Sequence, residues 1–149
     1  MERVPRWVPA VSLALALGAV AVSAYLTIVH YTTPDLLVCG SGGTVNCELV
    51  TTSAQSKLLG IPVALLGLLW SIGMAALCLP AAWRSERRLV HLARLIGVIA
   101  GVGFVLWLVY AELFIIEAIC LWCTVVHVLA FALFVVVVIT APAVLAPED

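Results

Sequence analysis

The stretch that decides the fold is residues 95–140, LIGVIAGVGFVLWLVYAELFIIEAICLWCTVVHVLAFALFVVVVIT, which has 46 residues, one histidine and only two carboxylates, Glu112 and Glu117. At a rise of 1.5 Å per residue, a single helix of this length would be roughly 69 Å long, more than twice the hydrocarbon core of a bilayer. The run must therefore fold back on itself, and the two glutamates place the turn near residues 112–119. We predict two antiparallel spans, at about 95–116 and 119–140.

The composition of the whole chain agrees with an integral membrane protein. Of its 149 residues, 65% are hydrophobic and 10% are charged, and the mean hydropathy is +1.26. These values exclude an ordinary soluble domain. The net charge of −1 gives no indication of nucleic-acid binding, so we expect no nucleic-acid partner.

Two further apolar segments complete a four-helix bundle. The first, about residues 8–30, is long enough to span a membrane and too long for the core of a typical cleaved signal peptide, although Val22-Ser23-Ala24 resembles a cleavage site. The second, about residues 61–79, begins at Ile61-Pro62 and ends before Pro80. We predict one all-α transmembrane domain, 1–149, with an outer loop at 31–60.

The outer loop carries two cysteines, Cys39 and Cys47. Seven residues separate them and three are glycines, so the sulfurs can meet without strain and a disulfide is geometrically easy. Thr52 and Gln55 have the form of a capping box, which predicts a short helix through Leu59. This helix is too short to span a membrane, and we expect it to lie across the mouth of the bundle.

A second pair, Cys120-Leu121-Trp122-Cys123, stands at the start of the fourth helix. The positive end of a helix dipole and its unpaired N–H groups favour the thiolate, so this pair is a candidate redox dithiol. His127 follows at helical spacing, which puts Cys120, Cys123 and His127 on one stripe. A zinc half-site and a pair of inert buried thiols are the alternatives.

The basic residues predict the topology. Six of the seven lie in the N-terminal tail or between the second and third spans, and Lys57 is the exception. By the positive-inside rule, both termini are cytoplasmic and the chain is a multi-pass plasma-membrane protein. Both cysteine pairs then share the outer face, where disulfides form and persist. Thiol–disulfide exchange requires this arrangement, in which two dithiols lie on the same side of the membrane, facing an oxidising compartment.

Taken together, these residues resemble the vitamin K epoxide reductase family, in its bacterial branch. The resemblance covers nearly the whole chain, through Ser23-Ala24-Tyr25-Leu26, the paired loop cysteines, Ser53, Gly60-Ile61-Pro62 and the CxxC of the fourth helix. It implies a four-helix bundle that holds a quinone, of the menaquinone or ubiquinone type, near the CxxC. It also implies electrons from a thioredoxin-like partner, expected to be a separate protein because this sequence has no fused C-terminal domain of that kind.

The resemblance also implies roles for individual residues. Cys39 would meet the partner, Cys47 would exchange with Cys120, and Cys123 would be the thiolate nearest the quinone. Ser53 matches a family serine beside the active site, and His127 stands where animal members have a tyrosine that bonds a quinone oxygen. The helix asparagine of the animal members has no counterpart, since the only asparagine here, Asn46, is in the loop.

The residues alone support the same mechanism. No dinucleotide fingerprint or haem-attachment motif is present in the sequence, so a lipid-soluble quinone is the economical electron acceptor. We predict that a reduced partner attacks a Cys39–Cys47 disulfide, that Cys47 then attacks a Cys120–Cys123 disulfide, and that the Cys123 thiolate reduces the quinone. His127 would donate a hydrogen bond or proton to a quinone oxygen. The function predicted is that of a thiol:quinone oxidoreductase that supports disulfide bond formation.

Other interpretations stay open at this point. The four outer cysteines could bind one zinc ion in a structural membrane subunit. An electron-passing channel without a quinone would need cysteines at the cytoplasmic side, where Cys78 stands alone and is expected to be structural. His127 could be a core histidine bonded to a carbonyl, and Ser53 could merely begin the short helix.

Overall fold

The computed structural model describes residues 4–32, 37, 39 and 43–145 and confirms an all-α bundle. The helices are α1 (Trp7–Tyr31), α2 (Cys47–Thr52), α3 (Val63–Leu77), α4 (Pro80–Trp83), α5 (Arg88–Tyr110) and α6 (Leu121–Leu145). A π-helical turn, Ala111–Ile116, extends α5, and a 3₁₀ turn, Ala54–Ser56, follows α2. Two short strands, β1 (Lys57–Leu58) and β2 (Ile61–Pro62), form a hairpin before α3.

Three of these helices are long and apolar enough to cross a membrane, namely α1, α5 with its π-helical turn, and α6. The fourth helix of the bundle, α3, is apolar and shorter, with 15 residues. Helix α1 packs between α3 and α6, and α5 packs against both of those helices. Many large apolar side chains face outward, Leu17, Leu106 and Phe131 among them, as expected where the surrounding solvent is lipid.

The short helix of the loop lies earlier in the chain than the capping box predicts. Helix α2 begins at Cys47, because the Asn46 side chain accepts a hydrogen bond from the Leu49 N–H (3.0 Å) and caps the first turn. Thr52 ends this helix instead of starting one. The residues up to Leu59 form the 3₁₀ turn and the hairpin, whose turn at Leu59 and Gly60 has positive φ at both positions. The predicted helix through Leu59 is therefore wrong.

Gly97 and Gly101, four residues apart in α5, form a GxxxG pattern that contacts side chains of α3. A Cβ at Gly97 would lie 2.7 Å from the sulfur of Met74, and one at Gly101 would collide with the indole of Trp70. The indole N–H donates to the Gly97 carbonyl oxygen (2.9 Å). The GxxxG pattern thus provides a groove for one aromatic and one thioether side chain, which is how α3 and α5 pack closely here.

A polar network closes the end of the bundle opposite to the cysteines. Arg94 is 1% exposed, and its Nε and Nη2 atoms both donate to the carbonyl of Leu77, the last residue of α3, at 2.9 and 2.7 Å. Its guanidinium lies 3.6 Å from the ring centroid of Trp83, whose indole N–H donates to Ser12 on α1 (3.0 Å). A cation at a helix C-terminus satisfies unpaired carbonyls and suits the helix dipole.

This network explains why α5 begins at Arg88, before the expected start at about residue 95. The side chain of His91 bonds the Ser85 carbonyl (2.8 Å) and the Nη1 atom of Arg94 (3.1 Å). His91 and Arg94, in the first two turns of α5, therefore both have hydrogen-bond partners inside the protein. They lie within the helix, although their charge predicts from sequence that they belong to a solvated connection before it. Arg94 holds the ends of α3 and α4 against α5.

We expect Arg94→Met to destabilise the bundle. The methionine keeps part of the aliphatic volume but leaves the Leu77 carbonyl without its donors, and a buried acceptor left unsatisfied costs about 1–3 kcal/mol. Thermal unfolding in detergent should show a lower Tm than the wild type. The matched control is Arg84→Met at an exposed position of the same connection, which should leave Tm unchanged. Equal Tm values for the two variants would contradict the role given to Arg94.

Candidate active site

The loop returns to the start of α6 through a short piece of backbone pairing. Val45 and Ile119 form a parallel bridge, in which the Asn46 N–H donates to the Ile119 carbonyl (3.1 Å) and the Ile119 N–H donates to the Thr44 carbonyl (2.8 Å). Each of the two bonded segments is followed directly by a cysteine. The pairing therefore places the loop cysteine Cys47 beside the helix cysteine Cys120.

The two cysteine pairs share one cluster. Cys47 and Cys120 are buried in it, and Cys39 and Cys123 pack against them while remaining partly exposed. Cys39 and Cys47 are joined in a disulfide with their Cα atoms 5.8 Å apart, as their spacing predicts. Cys120 and Cys123 are free thiols. The structure thus brings all four predicted redox cysteines together, with the loop pair oxidised and the CxxC pair reduced.

The helix start polarises the CxxC pair. Cys120 lies directly before α6, and the Cys123 N–H donates to its Sγ atom (3.3 Å). A hydrogen bond from the Cys123 thiol, together with this backbone bond, lowers the pKa of Cys120 below that of an ordinary thiol, although burial opposes the shift. For Cys120, the direction of this shift is the one expected at a helix N-terminus.

A cavity of about 320 Å³ lies inside the bundle next to this cluster. Its walls come from α1, α3, α5 and α6 and from the segment that follows α2, and they are largely apolar. The polar side chains that reach it include Ser53, Cys123 and His127. Small-molecule sites typically have this size, this apolar lining and a few convergent polar groups.

Cys123 connects the cluster to the cavity. It packs against the buried pair Cys47 and Cys120, and it is also part of the cavity wall, whereas Cys120 is not among the lining residues. Of the two CxxC residues, Cys123 is therefore the one that a molecule in the cavity would meet.

His127 and Ser53 differ in what they offer to this cavity. His127 lies one turn beyond Cys123 and is 8% exposed. Among the described residues neither ring nitrogen has a hydrogen-bond partner, and His127 is part of the cavity wall. The Ser53 hydroxyl already donates to the Val50 carbonyl (2.7 Å), so toward the cavity it remains an acceptor.

A model of the Vitamin K epoxide reductase family matches residues 10–138. The chain belongs to this family. Vitamin K epoxide reductases are membrane oxidoreductases that use quinones and generally work with thioredoxin-like partners. The match includes most of α1 and α6, all of α3 and α5, and both cysteine pairs, so the fold and the redox character of this site follow from membership as well as from geometry.

Glu112 is part of this candidate site. From the sequence, Glu112 and Glu117 are expected in the solvated turn between the third and fourth spans, where either could pass protons near the CxxC. In the structure, Glu112 is 6% exposed and lines the cavity. Its carboxylate receives a hydrogen bond from the Cys120 backbone N–H. Glu117 is exposed and has a φ of 55°. The available signal was a carboxylate inside an apolar run, which at membrane depth tends to be functional.

The arrangement does not support a zinc site. The disulfide uses both loop sulfurs, so four thiolates are not available in this state. Within the described ranges, no group of three or more His, Cys, Asp or Glu side chains is placed to hold a metal ion. Cys78 is buried at the far end of α3, beside Arg94 and away from the other cysteines.

We expect Gly101→Ala to reshape the cavity of this family member. The added Cβ would collide with the indole of Trp70, which lines the cavity, and overpacking of this kind costs about 1–3 kcal/mol. Even 1 kcal/mol taken from ligand binding is roughly a fivefold loss of affinity. A quinone-induced rise in Tm should be reduced in this variant.

The matched control is Gly103→Ala, since a Cβ at Gly103 meets nothing within 4 Å. That variant should keep the wild-type ligand response. If both variants respond to quinone as the wild type does, the cavity bounded by Trp70 is not where the quinone binds.

Proposed function

We propose that this protein is a membrane thiol:quinone oxidoreductase that reoxidises a thioredoxin-like partner and so supports disulfide bond formation. The observation that carries the proposal is the double contact of Cys123, which packs in the four-cysteine cluster and also lines the apolar cavity. A dithiol that exchanges with another dithiol on one side, and faces a ligand site on the other, suits a protein that transfers electrons between two carriers.

Electrons enter through the loop pair. A thiolate of the reduced partner attacks Cys39, the S–S bond to Cys47 breaks, and the second partner thiol closes the partner's own disulfide. The partner has then lost two electrons and the loop pair is a dithiol. Cys39 suits this role because it is less buried than Cys47.

The loop dithiol then reduces the CxxC disulfide. The Cys47 thiolate attacks Cys120, which releases the Cys123 thiolate, and Cys39 attacks Cys47 to close the loop disulfide and release Cys120. The product of this step has an oxidised loop pair and a reduced CxxC, which is the combination found in the structure. The shared buried cluster supports Cys47 and Cys120 as the exchanging sulfurs.

The cavity residues fit a quinone. When bound, a quinone accepts two electrons and two protons from the CxxC dithiol. The apolar walls suit its ring, and the open ring nitrogens of His127 suit a carbonyl oxygen of a quinone. Ser53, which offers only an acceptor toward the cavity, suits a hydroxyl of the quinol product. Cys123 supplies the sulfur nearest to the site.

The proposed topology puts the cysteine end outside the cytoplasm and both termini inside it. It is supported by the four arginines at the opposite end, from the connection before α5 and its first two turns, namely Arg84, Arg87, Arg88 and Arg94. In this orientation the loop disulfide stands in the oxidising compartment, where a thioredoxin-like partner would receive its disulfide.

We expect the purified protein in lipid to bleach the absorbance of a quinone when dithiothreitol is supplied, and Cys123→Ser to abolish this turnover. Without Cys123 there is no Cys120–Cys123 disulfide for the loop dithiol to reduce, and the CxxC pair has no sulfur at the cavity wall. The matched control is Cys78→Ser, which alters the cysteine remote from the site and should keep the wild-type rate. No turnover by the wild type with either benzoquinone or naphthoquinone acceptors would reject the proposed function.

The exchange step has a separate test. A variant with Cys39→Ser and Cys123→Ser keeps Cys47 and Cys120 as facing thiols, and we expect mild oxidation to join them in most molecules because they share one buried cluster. Peptide mapping by mass spectrometry identifies the link, and Cys78 serves as an internal control. A Cys47–Cys120 link that is no more frequent than one to Cys78 would contradict the proposed order.

A further inference from the structure

The CxxC dithiol has a proton that cannot reach the cavity directly. When a dithiol closes to a disulfide, two S–H bonds break, one S–S bond forms, and two electrons and two protons leave. Cys123 lines the cavity and can release its proton there. Cys120 is fully buried and does not line it, so its proton needs a carrier.

Glu112 is placed to be that carrier. Its side chain is 6% exposed, accepts a hydrogen bond from the Cys120 N–H, and is close enough to both CxxC sulfurs to interact with them electrostatically. It also lines the same cavity as Cys123 and His127. A buried carboxylate with no cationic partner among the described residues is costly in an apolar bundle, which favours a functional reason for its presence.

A second cavity, about 420 Å³ and apolar, lies between α5 and α6. Glu112 and His127 line both cavities, whereas Cys123 lines only the first. The two polar side chains therefore form part of the wall that the cavities share, beside the reacting sulfurs. In the part of the chain that the structure describes, the other ionisable groups that face Glu112 are Cys120 and Cys123, and His30 reaches the first cavity from α1.

We propose that Glu112 is the base that takes the proton of Cys120 as the CxxC disulfide closes, and that it passes this proton through His127 toward the quinone site. This inference depends on the proposed function only in that it takes a quinone as the final acceptor of the electrons and protons. The electrons go to the quinone with one proton from Cys123 and one carried by Glu112, so that both quinone oxygens are protonated. Glu112 ends each cycle as a carboxylate and His127 as a neutral imidazole.

The first test uses no quinone. In a background with Cys39→Ser and Cys47→Ser, the reduced CxxC is oxidised with diamide, and closure of the Cys120–Cys123 disulfide is followed by thiol blocking and peptide mapping. We expect Glu112→Gln to slow closure at least about tenfold, since general-base catalysis typically contributes 10²–10⁴-fold. Glu112→Asp should recover part of the rate because it restores a base.

The direction of the change in closure rate distinguishes a general base from a carboxylate that acts only through its negative charge. If the carboxylate acted only through its negative charge, its removal would ease thiolate formation, and Glu112→Gln would speed closure. The matched control is Glu117→Gln, which neutralises an exposed carboxylate five residues further along the chain and should leave the rate unchanged. Thermal unfolding of each variant confirms that the fold is retained.

The second test measures single-turnover reduction of a short-chain naphthoquinone by the prereduced full chain. Glu112→Gln should slow this step by a similar factor, while capture of a mixed disulfide at Cys39 stays at the wild-type level. Wild-type or faster closure in the diamide test would overturn the role of Glu112, whatever the quinone result. Slow closure in Glu112→Gln beside a wild type that reduces no quinone would instead reject the proposed function and retain Glu112 as the base.

Discussion

The site depends on two backbone hydrogen bonds that join the loop to Ile119. They make the extracytoplasmic loop of the proposed topology and the fourth helix into one unit, so that both cysteine pairs are held at a shared position. Asn46 serves this arrangement twice, because its N–H bonds Ile119 while its side chain caps α2 directly before Cys47. Sulfur exchange requires one thiolate to approach one disulfide closely, and a freely moving loop would make that approach rare.

The length of the apolar run after residue 95 determines the candidate site as well as the fold. The apolar run after residue 95 is too long for one crossing, so it must reverse, and it does so through the π-helical turn and the left-handed Glu117. The Ala118 N–H donates to the Glu112 carbonyl (3.1 Å) and closes this reversal. The reversal delivers Cys120 to the start of α6 and turns the Glu112 side chain toward it. A π-helical turn inserts a residue into the helical phase, and such insertions are frequent at functional sites.

Sequence reasoning succeeds here where one dominant force decides. Span length and hydropathy fix the bundle, and the glycine-rich spacing of Cys39 and Cys47 indicates their disulfide. Sequence reasoning fails where contacts between residues far apart in the chain decide between local sequence signals of similar strength. Thr52 and Asn46 are both good capping residues, but only Asn46 is fixed by the pairing with Ile119. Likewise, nothing local shows that Arg94 finds the end of α3, or that the π-helical turn carries Glu112 inward.

The burial of the four cysteines suggests how the proposed relay avoids side reactions. The two sulfurs at its ends, on Cys39 and Cys123, are partly exposed, and the two in the middle, on Cys47 and Cys120, are buried. A thiolate reacts with any disulfide or oxidant that reaches it. Because Cys47 and Cys120 are buried together, each is accessible mainly to the other. Burial also removes water as a proton acceptor for Cys120. A relay that is closed to stray thiols therefore needs an internal base, and Glu112 is the carboxylate that this fold places beside the buried sulfur.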